Sequence, residues 1–205
     1  IDGGVFSQAA DYSFKQPSYE KSIYENANAI ILYATAYKYF RKKIYKEAAE
    51  RIINFLETEM NNNGKGYITY LTLTKTASES TYYKYSIKEL KKVFPNTYKS
   101  IAHALGMDTE TDPETYQTIS NTRKYWNITH EEIIGLKKIR HSRSKELLFD
   151  KRAMTGYNCR VATAFCSMAK ITSKGEKEGY LAMSRTIVDN IMNKQKLTKT
   201  EKSWI

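Results

Sequence analysis

The chain has 205 residues and a mass of 23.8 kDa, with 33 Lys and Arg against 22 Asp and Glu, a formal net charge of +11 and a pI near 9.4. A hydrophobic fraction of 41 % supports a packed core and excludes a disordered chain, while 3 Pro and 9 Gly exclude a collagen-like or Pro-rich protein. Mean hydropathy is −0.61, and the most apolar stretch, residues 27–36, is interrupted by Asn28, Tyr33 and Thr35, well short of the roughly 20 apolar residues of a membrane helix.

In chain order, the pattern from Pro17 is helical: Tyr24, Ala27, Ile31 and Ala34 recur at helical spacing, and Ile23, Ile30 and Leu32 broaden the stripe. The basic link Arg41-Lys42-Lys43 leads to a second helix over 44–60, with Ala48, Ile52, Phe55 and Leu56 on its core face and Gly64 as its left-handed cap. Together these predict an antiparallel αα-hairpin. Residues 66–74 alternate aliphatic or aromatic side chains with Thr, and 81–85 are β-branched and aromatic, which predicts a small β-hairpin excursion over 66–86. Ser86 and Glu89 form a capping box that opens a short helix over 87–94. Asn96 is expected to cap another short helix ending near Gly106, and 107–128 read as an irregular excursion. A second capping box, Thr129 with Glu132, opens a helix with Ile133, Leu136 and Ile139 inward. Residues 155–171 make the next helix, and Ser173 to Glu176 cap the last one.

Cys159 and Cys166 are the only thiols. Seven helical residues separate them by about 10 Å along the axis, beyond the span of about 7 Å between Cα atoms that a disulfide bridges, so free thiols are expected. No Cys-x-x-Cys pair, zinc spacing or phosphate-binding glycine loop is present, and neither a cofactor nor a metal is expected.

Three stretches carry a family likeness. Asp2-Gly3-Gly4-Val5-Phe6, then Asp11, then Pro17-Ser18-Tyr19-Glu20-Lys21-Ser22-Ile23-Tyr24-Glu25-Asn26-Ala27 resemble the G-G-F … D … P-H-F-E-K-M-L-Y-D-N-A pattern of the spermatogenesis-associated thioredoxin-like proteins. Residues 79–90, ending in Tyr82-Tyr83-Lys84-Tyr85-Ser86-Ile87-Lys88-Glu89-Leu90, are similar to that family's E-G-x-F-Y-V-W-T-x-E-E-L segment. Asp150-Lys151-Arg152-Ala153-Met154-Thr155-Gly156-Tyr157-Asn158 is similar to its D-D-K-x-L-T-x-W-N. The resemblance implies a mainly α fold, αα-hairpins of an α/α toroid of the six-hairpin glycosidase and N-acylglucosamine 2-epimerase kind. In full-length members the toroid follows a thioredoxin-like domain, so such a domain is an expected neighbour in the same full-length chain. A complete toroid needs six hairpins; with about seven helices, residues 1–205 read as a single toroid fragment or a shortened toroid, and the start at Ile1 reads as a boundary within a larger protein.

By the same resemblance the site lies at one mouth of the barrel. Glu20, Asp11 and Asp150 are the candidate catalytic carboxylates, and Lys21, Tyr24, Asn26, Thr155 and Asn158 the candidate substrate-binding residues. Each also has a plain structural reading: Glu20 and Lys21 suit the first turn of a helix, and Asn26 and Asn158 suit capping and packing. The family's His is Ser18 here and its second Asp is Lys151, so a proton carrier and a carboxylate are missing. His103, His130 and His141 form no acid–base pair in the pattern. The expectation is therefore a cytoplasmic, carbohydrate-related domain, glycan-binding or catalytically degenerate, with sugar epimerase-like or glycosidase-like chemistry if it turns over. The alternative is a helical module that binds an acidic protein or nucleic acid through its basic surface. No membrane partner is expected, and the Lys/Arg runs at 41–46, 84–92 and 137–145 read as solvated faces before they read as nucleic-acid contacts.

Overall fold

The computed structural model describes residues 3–9, 12, 17–75, 80–107, 114, 117–118 and 128–194. The chain is mainly α. Helix α1 (Ile23–Phe40) is followed by α2 (Lys43–Phe55), which runs on through a π-helical turn at Leu56–Met60. Two short helices, α3 (Ile87–Val93) and α4 (Tyr98–Ala104), come next, then α5 (His130–His141), α6 (Thr155–Ala169) and α7 (Lys174–Lys194). Strands are short: β1 (Lys21–Ser22), β2 (Tyr70–Leu73), β3 (Lys84–Tyr85), β4 (Gln117–Thr118) and β5 (Leu147–Asp150). No helix among the described residues is long and apolar enough to cross a membrane.

The chain divides into two compact units, one of residues 3–5, 21–70 and 149–205, the other of 1–2, 6–20 and 71–148. In the first, α1 packs on α2, α6 on α7, and α1 on α6. Two αα-hairpins thus stand side by side, the arrangement from which a partial α/α toroid is made. Ile23, Ala27, Ile30 and Ala34 of α1, Ile52, Phe55 and Leu56 of the second helix, and Val161, Phe165 and Met168 of α6 fill the core between them. Small Ala27, Ala34, Ala162 and Ala164 allow this close approach of helices. The second unit has its own core, in which Leu90, Ile101, Leu105 and Leu136 are fully covered.

Several local expectations hold. Both capping boxes are complete, Ser86 with Glu89 and Thr129 with Glu132. Others need correction. Helix α1 begins at Ile23, because Ser22 is extended and its hydroxyl accepts the Tyr24 N–H at 3.1 Å, while Lys21 and Ser22 pair as a strand. Gly64 does not cap α2: the chain is already extended at Asn61, and Gly64, at φ +75°, serves the turn that bridges Asn61 to Tyr67. Thr97 takes the place expected of Asn96 at the start of α4, without a side-chain cap. The strands expected as one hairpin over 66–86 do not pair with each other. β2 lies in a sheet of order β1-β2-β5, whereas β3 pairs antiparallel with β4, Lys84 opposite Thr118 and Tyr85 opposite Gln117. That pairing falls inside the expected irregular excursion over 107–128, most of which lies outside the described residues.

Candidate functional site

The candidate residues of the first unit gather at the N-terminal ends of α1 and α6. Asn26, fully buried one turn into α1, uses its whole amide on backbone. Its Nδ2 donates to the Ser22 carbonyl at 2.7 Å and the Val5 carbonyl at 3.1 Å, and its Oδ1 accepts the Val5 N–H at 2.7 Å. Asn158 does the same one turn into α6: Nδ2 donates to the carbonyls of Met154 at 3.0 Å and Tyr67 at 3.1 Å, and Oδ1 accepts the Tyr67 N–H at 2.7 Å. In each case an Asn closes on its own helix start and on both backbone groups of one residue distant in the chain. A buried peptide N–H and C=O need such partners. These two side chains are clasps, with no donor left for a ligand.

Lys21 is the third anchor. It is buried, donates to the Gly3 carbonyl at 2.8 Å and holds its ammonium 4.5 Å from the centre of the Phe55 ring. Burial lowers its pKa to about 8, and the Glu59 carboxylate works against that fall. Gly3 and Gly4 take φ of +72° and +73° against the second helix, where a Cβ on Gly3 would come within 2.1 Å of the Arg51 carbonyl oxygen. The G-G, K and N landmarks are thereby joined physically: a segment that only glycine can form is pinned by Lys21 and Asn26.

The exposed chemistry lies beside these clasps. The Ile23 N–H donates to the Thr69 carbonyl and the Thr69 N–H to the Asp150 carbonyl, each at 3.0 Å, while the Thr69 hydroxyl donates to the Arg152 carbonyl at 2.6 Å. This ladder brings Tyr24, Tyr70, Asp150 and Arg152 to one end of the hairpins. Tyr24, which is exposed, meets Tyr157 of α6 with ring centres 5.2 Å apart. Arg152 Nε donates to both oxygens of Asp150, at 2.9 and 3.0 Å, and holds that carboxyl below the usual range. Asp150 is therefore an anion throughout the neutral range, an acceptor and not a proton donor. Thr155, the first residue of α6, is exposed. Glu20 is exposed and belongs to the other unit, its carbonyl accepting the Ser7 N–H at 2.8 Å; Asp11 lies outside the described residues. All three histidines are exposed, and no group of three or more His, Cys, Asp or Glu among the described residues could hold a metal ion.

Two arrangements escaped the sequence reading. Tyr67 donates its hydroxyl to Glu57, whose other oxygen accepts from Asn61 Nδ2 at 3.0 Å; burial first, and then the carboxylate, push the phenol well up. In the second unit, Arg140 and Arg143 leave the basic face expected for 137–145. Arg140 is buried with its guanidinium 5.1 Å from the Tyr82 ring centre and 5.4 Å from that of Tyr83, and burial lowers its pKa to about 10. Phe6, Tyr19 and Tyr83 continue the aromatic cluster at 5.1–5.5 Å centre to centre. Arg143 pairs with Glu89 and donates to the carbonyls of Thr81 at 2.6 Å and Lys84 at 2.7 Å. The available signal was periodicity: Arg140 stands four residues after Leu136, on the buried face of α5.

No protein-family model matches the chain, and no curated protein matches it in sequence. Among solved structures it is similar to a D-mannose isomerase at 15 % identity and a TM-score of 0.33. That match covers 94 % of this chain and 46 % of the isomerase, so the chain spans under half of the isomerase's length. At this TM-score the likeness assigns neither fold nor activity.

Proposed function

We propose that this chain is a carbohydrate-binding domain of the α/α-toroid kind, related to the spermatogenesis-associated family, and that it takes a sugar at the N-terminal ends of α1 and α6. The observation that carries the reading is the Tyr24–Tyr157 pair beside an ion-paired carboxylate. Aromatic rings present apolar faces to the C–H face of a pyranose, and a fixed carboxylate–guanidinium pair offers an acceptor and donors to vicinal hydroxyls. Lys21, Asn26 and Asn158 shape the backbone beneath, and Thr155 adds a hydroxyl at the rim. Ionised Asp150 accepts from sugar hydroxyls and cannot itself be the acid that protonates a leaving group. Hydrolysis would need a second carboxyl about 5–9 Å from it.

The test is calorimetric titration and thermal shift with neutral hexoses and N-acetylhexosamines. A saturable sugar-dependent rise in Tm that disappears in Tyr157→Ala and Asp150→Asn supports the proposal. Wild-type protein that ignores every sugar, yet binds nucleic acid with a steep salt dependence, replaces it by the basic-surface reading.

A further inference from the structure

The opposite end of the α1–α2 hairpin carries a surface that the sugar reading leaves unused. Leu32, Tyr39, Phe40 and Ile44 are 64, 72, 65 and 48 % exposed there. Leu32 and Tyr39, seven residues apart, share one face of α1, and the stripe turns onto α2 through Phe40, whose ring lies 6.1 Å from that of Tyr45. Large apolar side chains grouped in this way on a soluble surface mark a contact site.

Its rim is cationic. Lys38, Arg41 and Lys42 are exposed, and no carboxylate among the described residues pairs with any of them. Lys43 and Lys46, by contrast, are engaged by Glu47 at 3.1 Å and by Glu50 and Glu176 at 3.4 and 3.2 Å. The turn is also fixed in shape, since Arg41 sits at φ +56° with its N–H donating to the Tyr37 carbonyl at 2.9 Å. An apolar stripe ending in three uncompensated cations is the complement of an amphipathic helix that carries leucine-type anchors along one face and acidic residues at one end.

We infer that the C-terminal half of α1 and the α1–α2 turn dock an acidic amphipathic helical segment of a partner protein. A lipid surface fits less well. The cations cluster at the turn, whereas Leu32 lies about 12 Å back along the helix axis from Phe40. A helix laid along α1 meets both ends of the stripe and brings its acidic end to the turn. The proposal is independent of the sugar site, which lies at the other end of an 18-residue helix.

The experiment uses the full chain and a fluorescein-labelled synthetic helix with Leu at i, i+3, i+4 and i+7 and Glu clustered at one end. Fluorescence anisotropy gives its affinity, compared with a scrambled peptide of equal composition and with phosphatidylserine-containing vesicles in a co-sedimentation arm. Expected results are binding of the ordered peptide at least tenfold tighter than the scrambled one, and loss of about 30-fold in Tyr39→Ser and Phe40→Ser. Lys42→Glu should lose about fivefold and flatten the salt dependence. Leu148→Ser, at an exposed leucine outside α1 and α2, should leave affinity unchanged and so controls for general effects on folding. Equal binding of both peptides, or no peptide binding, overturns the inference, and vesicle binding without peptide binding assigns the surface to lipid.

Discussion

Asn158→Ala is the sharpest test of the clasp reading. The substitution removes three hydrogen bonds at a position 3 % exposed, and it strands the N–H and carbonyl of Tyr67, itself 4 % exposed. At about 1 kcal/mol for each bond, with a further 1–3 kcal/mol for the stranded buried groups, the expected loss is about 4–6 kcal/mol. For a chain of this length that lowers Tm by roughly 15 °C. Urea and thermal unfolding followed by circular dichroism measure it, with Cys159→Ala, the exposed next residue of the same helix, as the control expected to move stability by less than about 0.5 kcal/mol. Asn26→Ala should cost a similar amount, and because the two clasps share no partner the double variant should show the sum. A loss below 1 kcal/mol for Asn158→Ala, with unfolding still two-state, would refute the assignment of this side chain as a structural clasp.

The buried Lys21 predicts a pH signature. Its folded pKa of about 8 lies below the ordinary value of 10.5, so the unfolded chain binds more protons between those limits and stability rises with pH across them. The Lys21→Met variant should lack this rise, and the difference in unfolding free energy between wild type and variant, followed from pH 7 to 9.5, should change by about 2 kcal/mol; a difference flat in pH would mean that the amine is not desolvated. Two glycines separate steric from conformational cost. Gly3→Ala places a Cβ 2.1 Å from a backbone oxygen and should cost about 3 kcal/mol or more in chemical denaturation. Gly64→Ala, at φ +75° with nothing within 4 Å, should cost only about 1 kcal/mol; equal losses would place the strain in the backbone alone.

What the sequence reveals here is what is local. The two capping boxes are complete within four residues, and both form as expected. The helix count follows from periodicity for the same reason, as do Ala27 and Ala34 on the buried face of α1, whereas Tyr24 and Leu32, expected on that apolar stripe, are exposed. The start of α1 is misjudged because Lys21 and Ser22 are taken into a sheet with residues from 70–73, far along the chain. The expected hairpin fails likewise: β2 and β3 each have the right composition, but their partners are β1, β5 and β4. Arg140 and Arg143 look like surface charge until Tyr82, Tyr83 and Glu89 arrive from another segment to receive them. At the site, motif likeness singles out Lys21, Asn26 and Asn158, yet their work is backbone bonding across 18, 21 and 91 residues. A motif shows that a residue matters; the distant carbonyl it holds is visible only in three dimensions.

The paired asparagines also differ in what they cost to close. The clasp at Asn26 closes a loop of 21 residues and the one at Asn158 a loop of 91, though the bonds made are the same. Closure entropy grows with the logarithm of loop length, which makes the longer loop dearer by about 1.3 kcal/mol. The first hairpin can therefore tie its N-terminal segment down before the second is in place. The Tyr67 N–H and carbonyl are satisfied by side-chain atoms that come from α6. On loop entropy alone the near clasp is the cheaper of the two to close.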